Sequence, residues 1–138
     1  MVAALEKYHP LETGGILIGN YVNSNKVAIV EKIVCAPTDS NYRRNSFYRG
    51  TNGLTSAISE IRDKNRNLHY LGEWHTHPNY SPQASLTDVI QMNNFAKNAV
   101  FGSTTPILVI IGGTTSIGLQ WGASVHRAWK RPVYLQQI

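Results

Sequence analysis

An α+β or mixed α/β fold in one domain is what this sequence predicts, and three observations carry the prediction. Short apolar runs of strand length recur between turn signals. Two segments, one over residues 53–67 and one beginning near residue 85, repeat their apolar side chains at helical spacing instead. The late connections are short enough for hairpins, and no repeat, coiled coil or linker divides the series. With 138 residues, 42% of them hydrophobic, the chain can bury one sizeable core, so residues 1–138 read as a single domain.

Taken in order, residues 2–8 (VAALEKY) read as a short helix stopped before Pro10. Residues 12–21, around the apolar GILIG, and residues 26–35 read as two strands. Asn23-Ser24-Asn25 between them is a turn signal, so the pair forms a hairpin. Residues 36–52 are rich in Pro, Asp, Ser, Asn and Arg and read as loop, with one short strand over residues 46–49. In residues 53–67, Leu54, Ala57, Ile58 and Ile61 share a helical face. Residues 69–77 read as a strand and residues 78–84, with two prolines, as a loop. A second helix starts near Ser85, with Val89, Met92, Phe95 or Ala96, and Ala99 as its apolar stripe. Three strands follow, over residues 106–111, 115–121 and 124–129, separated by Gly112-Gly113 and by Gly122.

Composition narrows the function. Only 15% of residues are charged, and no long polar tract reads as disorder. The formal charge of +5 raises nucleic acid or an acidic partner. Its sources are scattered, however: Arg43, Arg44 and Arg49 in one loop, residues 62–66 in a helix, residues 127–131 near the end. Without a block of five or six like charges they read as solvated surface, and no nucleic-acid partner is expected. One cysteine, Cys35, permits no disulfide within the chain. It ends a β-branched run, reads as a buried structural thiol, and favours a reducing compartment. No charged n-region precedes an apolar stretch, and ILVIIGG falls far short of the roughly 20 residues that span a bilayer. A cytoplasmic protein without a membrane association is the expectation.

The chemistry concentrates in residues 72–88, GEWHTHPNYSPQASLTD. Side chains alternate along a strand, so His75 and His77 project to one side and can share a divalent metal. Asp88, at the start of the following helix, can add a carboxylate oxygen. Two His and a carboxylate leave one position of a tetrahedral zinc site open for water, although a facial iron triad uses the same donors. Ser85-Leu86-Thr87-Asp88 equally matches a capping box, Ser85 at N-cap and Asp88 at N3. The two readings are compatible, because a carboxylate has two oxygens.

His-x-His-Pro, six residues, then Ser-x-x-Asp, with an upstream Glu in Glu-Thr-Gly-Gly-Ile-Leu-Ile-Gly, resembles the JAMM (MPN-plus) metalloprotease family. The resemblance covers nearly the whole chain and fills every signature position. It implies an MPN/cytidine-deaminase-like domain, with a central, curved, mostly antiparallel sheet flanked by helices. It further implies one Zn2+ held by His75, His77 and Asp88, Glu12 as general base, and Ser85 as hydrogen-bond donor to the oxyanion. The partner it implies is a ubiquitin-like or sulfur-carrier protein whose tail ends in Gly-Gly. The helix over residues 2–8 is short for the family, and residues 36–52 and 99–106 leave little room for the insertions that clamp ubiquitin. Those departures point to a compact prokaryotic type. The MPN-minus alternative, a scaffold without chemistry, usually lacks one or more of these ligands.

The remaining candidates carry less. Gly14 and Gly15 mark a bulge or a close backbone approach, or else leave room for an extended substrate tail. His69 shares the face of His75 only without an intervening bulge, and His9 and His126 lack partners at ligand spacing. Glu73 has the parity of His75, which allows support of a ligand, but an exposed or edge position is the simpler expectation. Trp74 and Trp121 read as core or flanking aromatics.

Overall fold

The computed structural model describes residues 1–136, so the last two residues of the expected 1–138 domain lie outside the described residues. The chain runs α1 (Val2–Tyr8), β1 (Gly14–Val22), β2 (Val27–Cys35), β3 (Asn41–Tyr42), β4 (Phe47–Tyr48), α2 (Leu54–Lys64), β5 (His69–Pro78) and α3 (Leu86–Lys97). A single 3-10 turn, Val100–Gly102, leads to β6 (Ile107–Thr114), β7 (Gly118–Val125) and β8 (Val133–Tyr134). Six strands form one sheet in the order β2-β1-β5-β6-β7-β8, and β3 and β4 form a separate ribbon. Every neighbouring pair is antiparallel except β5 and β6, which α3 connects as a crossover. The α+β class read from the sequence holds.

The sheet divides the core by face. Ile16 and Ile18 of β1 pack with Tyr70 of β5 and with Leu54 and Ile58 of α2. Leu108 and Ile110 of β6 pack with Met92 of α3. In register, Ile16 stands opposite Glu73, Glu73 opposite Leu108, and His75 opposite Ile110, so these residues share one face. The other face holds Leu17, Leu71 and Trp74, closed by Met1 and Ala4 of the α1 end. His75 and His77 thus emerge on the α2 and α3 side, at the end of a strand flanked by neighbours on both edges.

Several expectations are corrected. Gly112-Gly113 and Gly122 do not separate strands: β6 continues to Thr114, β7 runs through Gly122 to Val125, and residues 127–129 are not a strand. These glycines form a notch. A Cβ on Gly112 would strike the Tyr80 carbonyl, and one on Gly122 the Pro82 carbonyl, so the loop after β5 lies directly across β6 and β7. The Gly113 N–H donates to the Tyr80 carbonyl at 2.9 Å and fastens it there. Cys35 is exposed rather than buried, because β2 is an edge strand with few side chains covered. Ala99 lies beyond α3 in a left-handed conformation, and Met92 and Ala96 are the buried positions of that helix. Trp74 is core, at 1% exposure, and Trp121 is half-exposed.

Candidate metal centre

A bulge in β5 sets which side chains reach the site. The β1–β5 pairing passes from Leu17–Gly72 to Ile18–Tyr70, which skips Leu71. The extra residue reverses parity, so Tyr70 joins the face of Glu73, His75 and His77 while His69 turns away and is exposed. Beyond Pro78, the loop over Gly112 and Gly122 returns the chain to Ser85, and α3 begins above the two histidines.

His75 Nε2 and His77 Nε2 stand 3.0 Å apart. Asp88 Oδ1 lies 3.5 Å from His75 Nε2, and Asp88 Oδ2 lies 3.5 Å from His77 Nε2. All three donor atoms fall within 4.8 Å of one another, a group that could hold a metal ion. A zinc-like ion with bonds of about 2.0–2.2 Å needs donors separated by roughly 3–3.5 Å, which the His75–His77 pair meets and which Asp88 meets toward each histidine through a different oxygen. Chemistry agrees with distance. The Ser81 carbonyl accepts from His77 Nδ1 at 3.1 Å, which selects the tautomer with the Nε2 lone pair free. A lone pair aimed at a second ring nitrogen 3.0 Å away calls for a proton or a cation between them.

The capping box and the donor set coexist as the sequence allows. Asp88 Oδ2 accepts from the Ser85 N–H and from Ser85 Oγ, both at 2.7 Å, and the Asp88 N–H donates to Ser85 Oγ at 3.2 Å. Oδ1 is left facing His75. Burial opposes ionisation of Asp88, but hydrogen bonds from His75, His77 and Ser85 outweigh it and hold the carboxyl well below its ordinary range.

Glu12 enters from the residues before β1. Its backbone N–H donates to the Arg43 carbonyl at 2.7 Å, and its carboxylate lines a cleft of about 430 Å³ with Phe47, His77, Ser85 and Asp88. Burial pushes its pKa up to about 7, with His77 pulling it down and Asp88 adding to the rise. The five signature residues therefore converge from three elements. The space beside Gly14 is already filled by the Trp74 carbonyl, the Phe47 ring and His75 Cβ, so this glycine serves close backbone approach, not room for a tail.

The lesser candidates separate clearly. His9 lies within 3.5 Å of Asn79, away from the donor set. His126 is buried, with Nε2 at 2.9 Å from Ser124 Oγ, and burial depresses its pKa to about 4, so it stays neutral. Glu73 is not exposed. It is 6% exposed and paired with Arg49, itself expected at the solvated surface. Sequence reading missed this pair. Parity placed Glu73 beside the ligands, but nothing local links it to a loop residue 24 positions away.

Residues 1–131 match the family of prokaryotic homologs of the JAB domain, Prok-JAB. The chain is 35% identical over 138 residues to a protein named CD-NTase/cGAS isopeptidase from Enterobacter hormaechei subsp. hoffmannii (strain UCI 50). That match spans 100% of this chain and 76% of the relative. A protein named probable metalloprotease y4qB, from Sinorhizobium fredii (strain NBRC 101917 / NGR234), is 29% identical over 115 residues, 82% of this chain and 70% of its own. Among solved structures, the solution structure of protein DSY2949 from Desulfitobacterium hafniense has a similar fold. Its TM-score is 0.62 at 16% identity, covering 100% of this chain and 84% of that one. The family resemblance read from the signature residues is borne out: the chain belongs to the prokaryotic JAB domain family.

Proposed function

We propose that residues 1–138 form one zinc-dependent isopeptidase or peptidase domain, which hydrolyses the amide bond after the C-terminal tail of a ubiquitin-like or sulfur-carrier protein. The observation that carries this reading is the metal-capable group of His75, His77 and Asp88, of which His77 and Asp88 line one cleft with the buried side chain of Glu12. The names of the two relatives, an isopeptidase and a probable metalloprotease, support it. The converged donor set weighs against a scaffold without chemistry.

One zinc ion held by His75, His77 and Asp88 would activate a water and polarise the scissile carbonyl. Glu12 accepts the proton of the attacking water and passes it to the leaving amine. Burial prepares it for both steps, because a raised pKa makes the carboxylate a better base and its conjugate acid easier to hold. A cation held by the three ligands would oppose that rise and favour the ionised carboxylate. Ser85 supplies a hydrogen bond to the charge that develops on the carbonyl oxygen. Its proton points at Asp88 Oδ2, so the hydroxyl must rotate into the cleft. Oγ can still accept the Asp88 N–H, and Oδ2 keeps the Ser85 N–H.

The test is cleavage of a ubiquitin-like protein ending in Gly-Gly and fused to a reporter. About one zinc per chain, cleavage after Gly-Gly, loss with a chelator and recovery with zinc are expected. A chain that cannot be loaded, or a loaded chain that leaves such fusions intact, overturns the reading.

Metal loading should also depend on pH. Burial lowers the His77 pKa, but the Asp88 hydrogen bond, the Ser81 carbonyl and the charges of Glu12 and Asp88 prevail and raise it. A proton therefore competes for Nε2 at a pH above the usual imidazole range. Zinc affinity should fall as pH drops from about 8 to about 6, with proton release on loading. Calorimetric titration in buffers of different ionisation enthalpy measures both, and a flat affinity across that window would remove the assignment of His77.

A further inference from the structure

The hydrolysis proposed above makes no use of the buried ion pair between Arg49 and Glu73. Arg49 grips both oxygens of the carboxylate, with Nε 2.6 Å from Oε2 and Nη2 3.0 Å from Oε1. Tyr70 donates its hydroxyl to Oε1 at 2.6 Å, and Arg49 Nη1 donates to the Gly50 carbonyl at 2.7 Å. The Arg49 and Glu73 side chains are 3% and 7% exposed. The rings of Phe95 and Phe101 lie 5.5 and 5.7 Å from the guanidinium carbon. One loop residue is thus bound to β5, to α3 and to the turn after α3.

Stability alone does not explain such a pair. Desolvating two charges costs about as much as their attraction returns, and apolar side chains of similar volume often serve as well. A bidentate guanidinium–carboxylate contact adds a fixed geometry that apolar packing lacks. Here the fixed object is the stretch just before Arg49. The base of that loop is tied separately, by Asp39 accepting the Thr51 and Asn52 N–H groups at 3.0 and 3.2 Å. Its far end carries Phe47, which lines the cleft, and Arg43, whose carbonyl accepts the Glu12 N–H at 2.7 Å. The Arg43 N–H in turn donates to the Ser46 carbonyl at 3.1 Å, so the Glu12 contact is built into the closed end of the ribbon, while Thr13 is tied to Thr76 of β5.

We propose that Arg49 and Glu73 are positioning residues: their bidentate pair latches the β3–β4 ribbon onto β5. Through the Arg43 carbonyl and Phe47, the latch holds Glu12 in the cleft beside His77. The proposal rests on the reading of Glu12 as general base. Misplacing a reacting group by about 1 Å costs roughly 10²-fold in rate, which sets the expected effect.

The paired substitution Arg49→Met with Glu73→Met tests it, because it removes the latch without leaving a lone buried charge. The expected variant is folded, holds zinc as the wild type does, and melts near the wild-type temperature. Its kcat should fall roughly 10²-fold with a smaller change in KM. Amide exchange at the Glu12 N–H and across residues 42–47 should accelerate at least about tenfold. Arg49→Lys, which keeps the charge but not the fork, should fall between the two proteins. A double variant with wild-type kcat and wild-type exchange at Glu12 overturns the latch and leaves the pair as packing. If the double variant does not fold, Arg49→Lys decides by the same two readouts, and wild-type values there overturn the proposal. Exchange at Glu12 needs no substrate. A wild-type protein that cleaves nothing would sink the hydrolase reading while the latch is still judged.

Discussion

Glu12→Gln is expected to lower hydrolysis by about 10²–10⁴-fold while leaving the fold and the zinc content intact. The substitution keeps the shape of the side chain and removes its ability to take a proton. Glu12 is 6% exposed, and its carboxylate has no hydrogen-bond partner among the described residues. Burial already disfavours its charge, so the neutral amide should cost little stability and can raise the melting temperature of the metal-free protein. Steady-state kinetics, zinc analysis and thermal unfolding on one preparation separate the alternatives. Lost zinc would make Glu12 a ligand rather than a base, and retained activity would remove it from the chemistry altogether.

Asp88→Ala compared with Ser85→Ala is the second large effect, because the pair separates a helix cap from a reactive site. Each substitution breaks the capping box and should destabilise the metal-free protein in denaturant unfolding, Ser85→Ala by about 1 kcal/mol and Asp88→Ala by more, since it also loses the contacts with His75 and His77. Only Asp88→Ala should abolish zinc binding, and with it all hydrolysis. Ser85→Ala should keep its zinc and lose about 10²-fold in kcat, the usual effect of deleting one donor to a developing oxyanion. A residue pair that does nothing but cap would give two equally destabilised proteins, both metal-loaded and both active. That result would return Ser85 and Asp88 to structure alone.

What was legible from the chain follows from local rules. The alternation of a strand places His75 and His77 on one side, and the turn at residues 23–25 pairs β1 with β2. Ser85 and Asp88 were readable as a capping box because N-cap and N3 are three residues apart in any helix. His69 was readable only conditionally. Whether it faced the ligands turned on a bulge, and the register places one at Leu71. Gly112 and Gly122 were misread as breaks for a related reason. Glycine signals either a turn or a close approach, and only the loop lying over them tells which.

The sequence by itself determined the kinds of donor, their spacing along β5 and α3, and the family to which the chain belongs. The tertiary structure alone decided that Cys35 faces outward and that Arg49 is buried on Glu73, and it supplies the cleft in which Glu12, nominated only by the family signature, meets His77 and Asp88. The physical reason is one of range. Periodicity and capping depend on residues two to four apart. Burial and pairing depend on strand order, on which strand ends the sheet, and on where a long loop is tied down. For Arg49 and Glu73 that difference is greatest, since a buried ion pair is stable only when both charges arrive together.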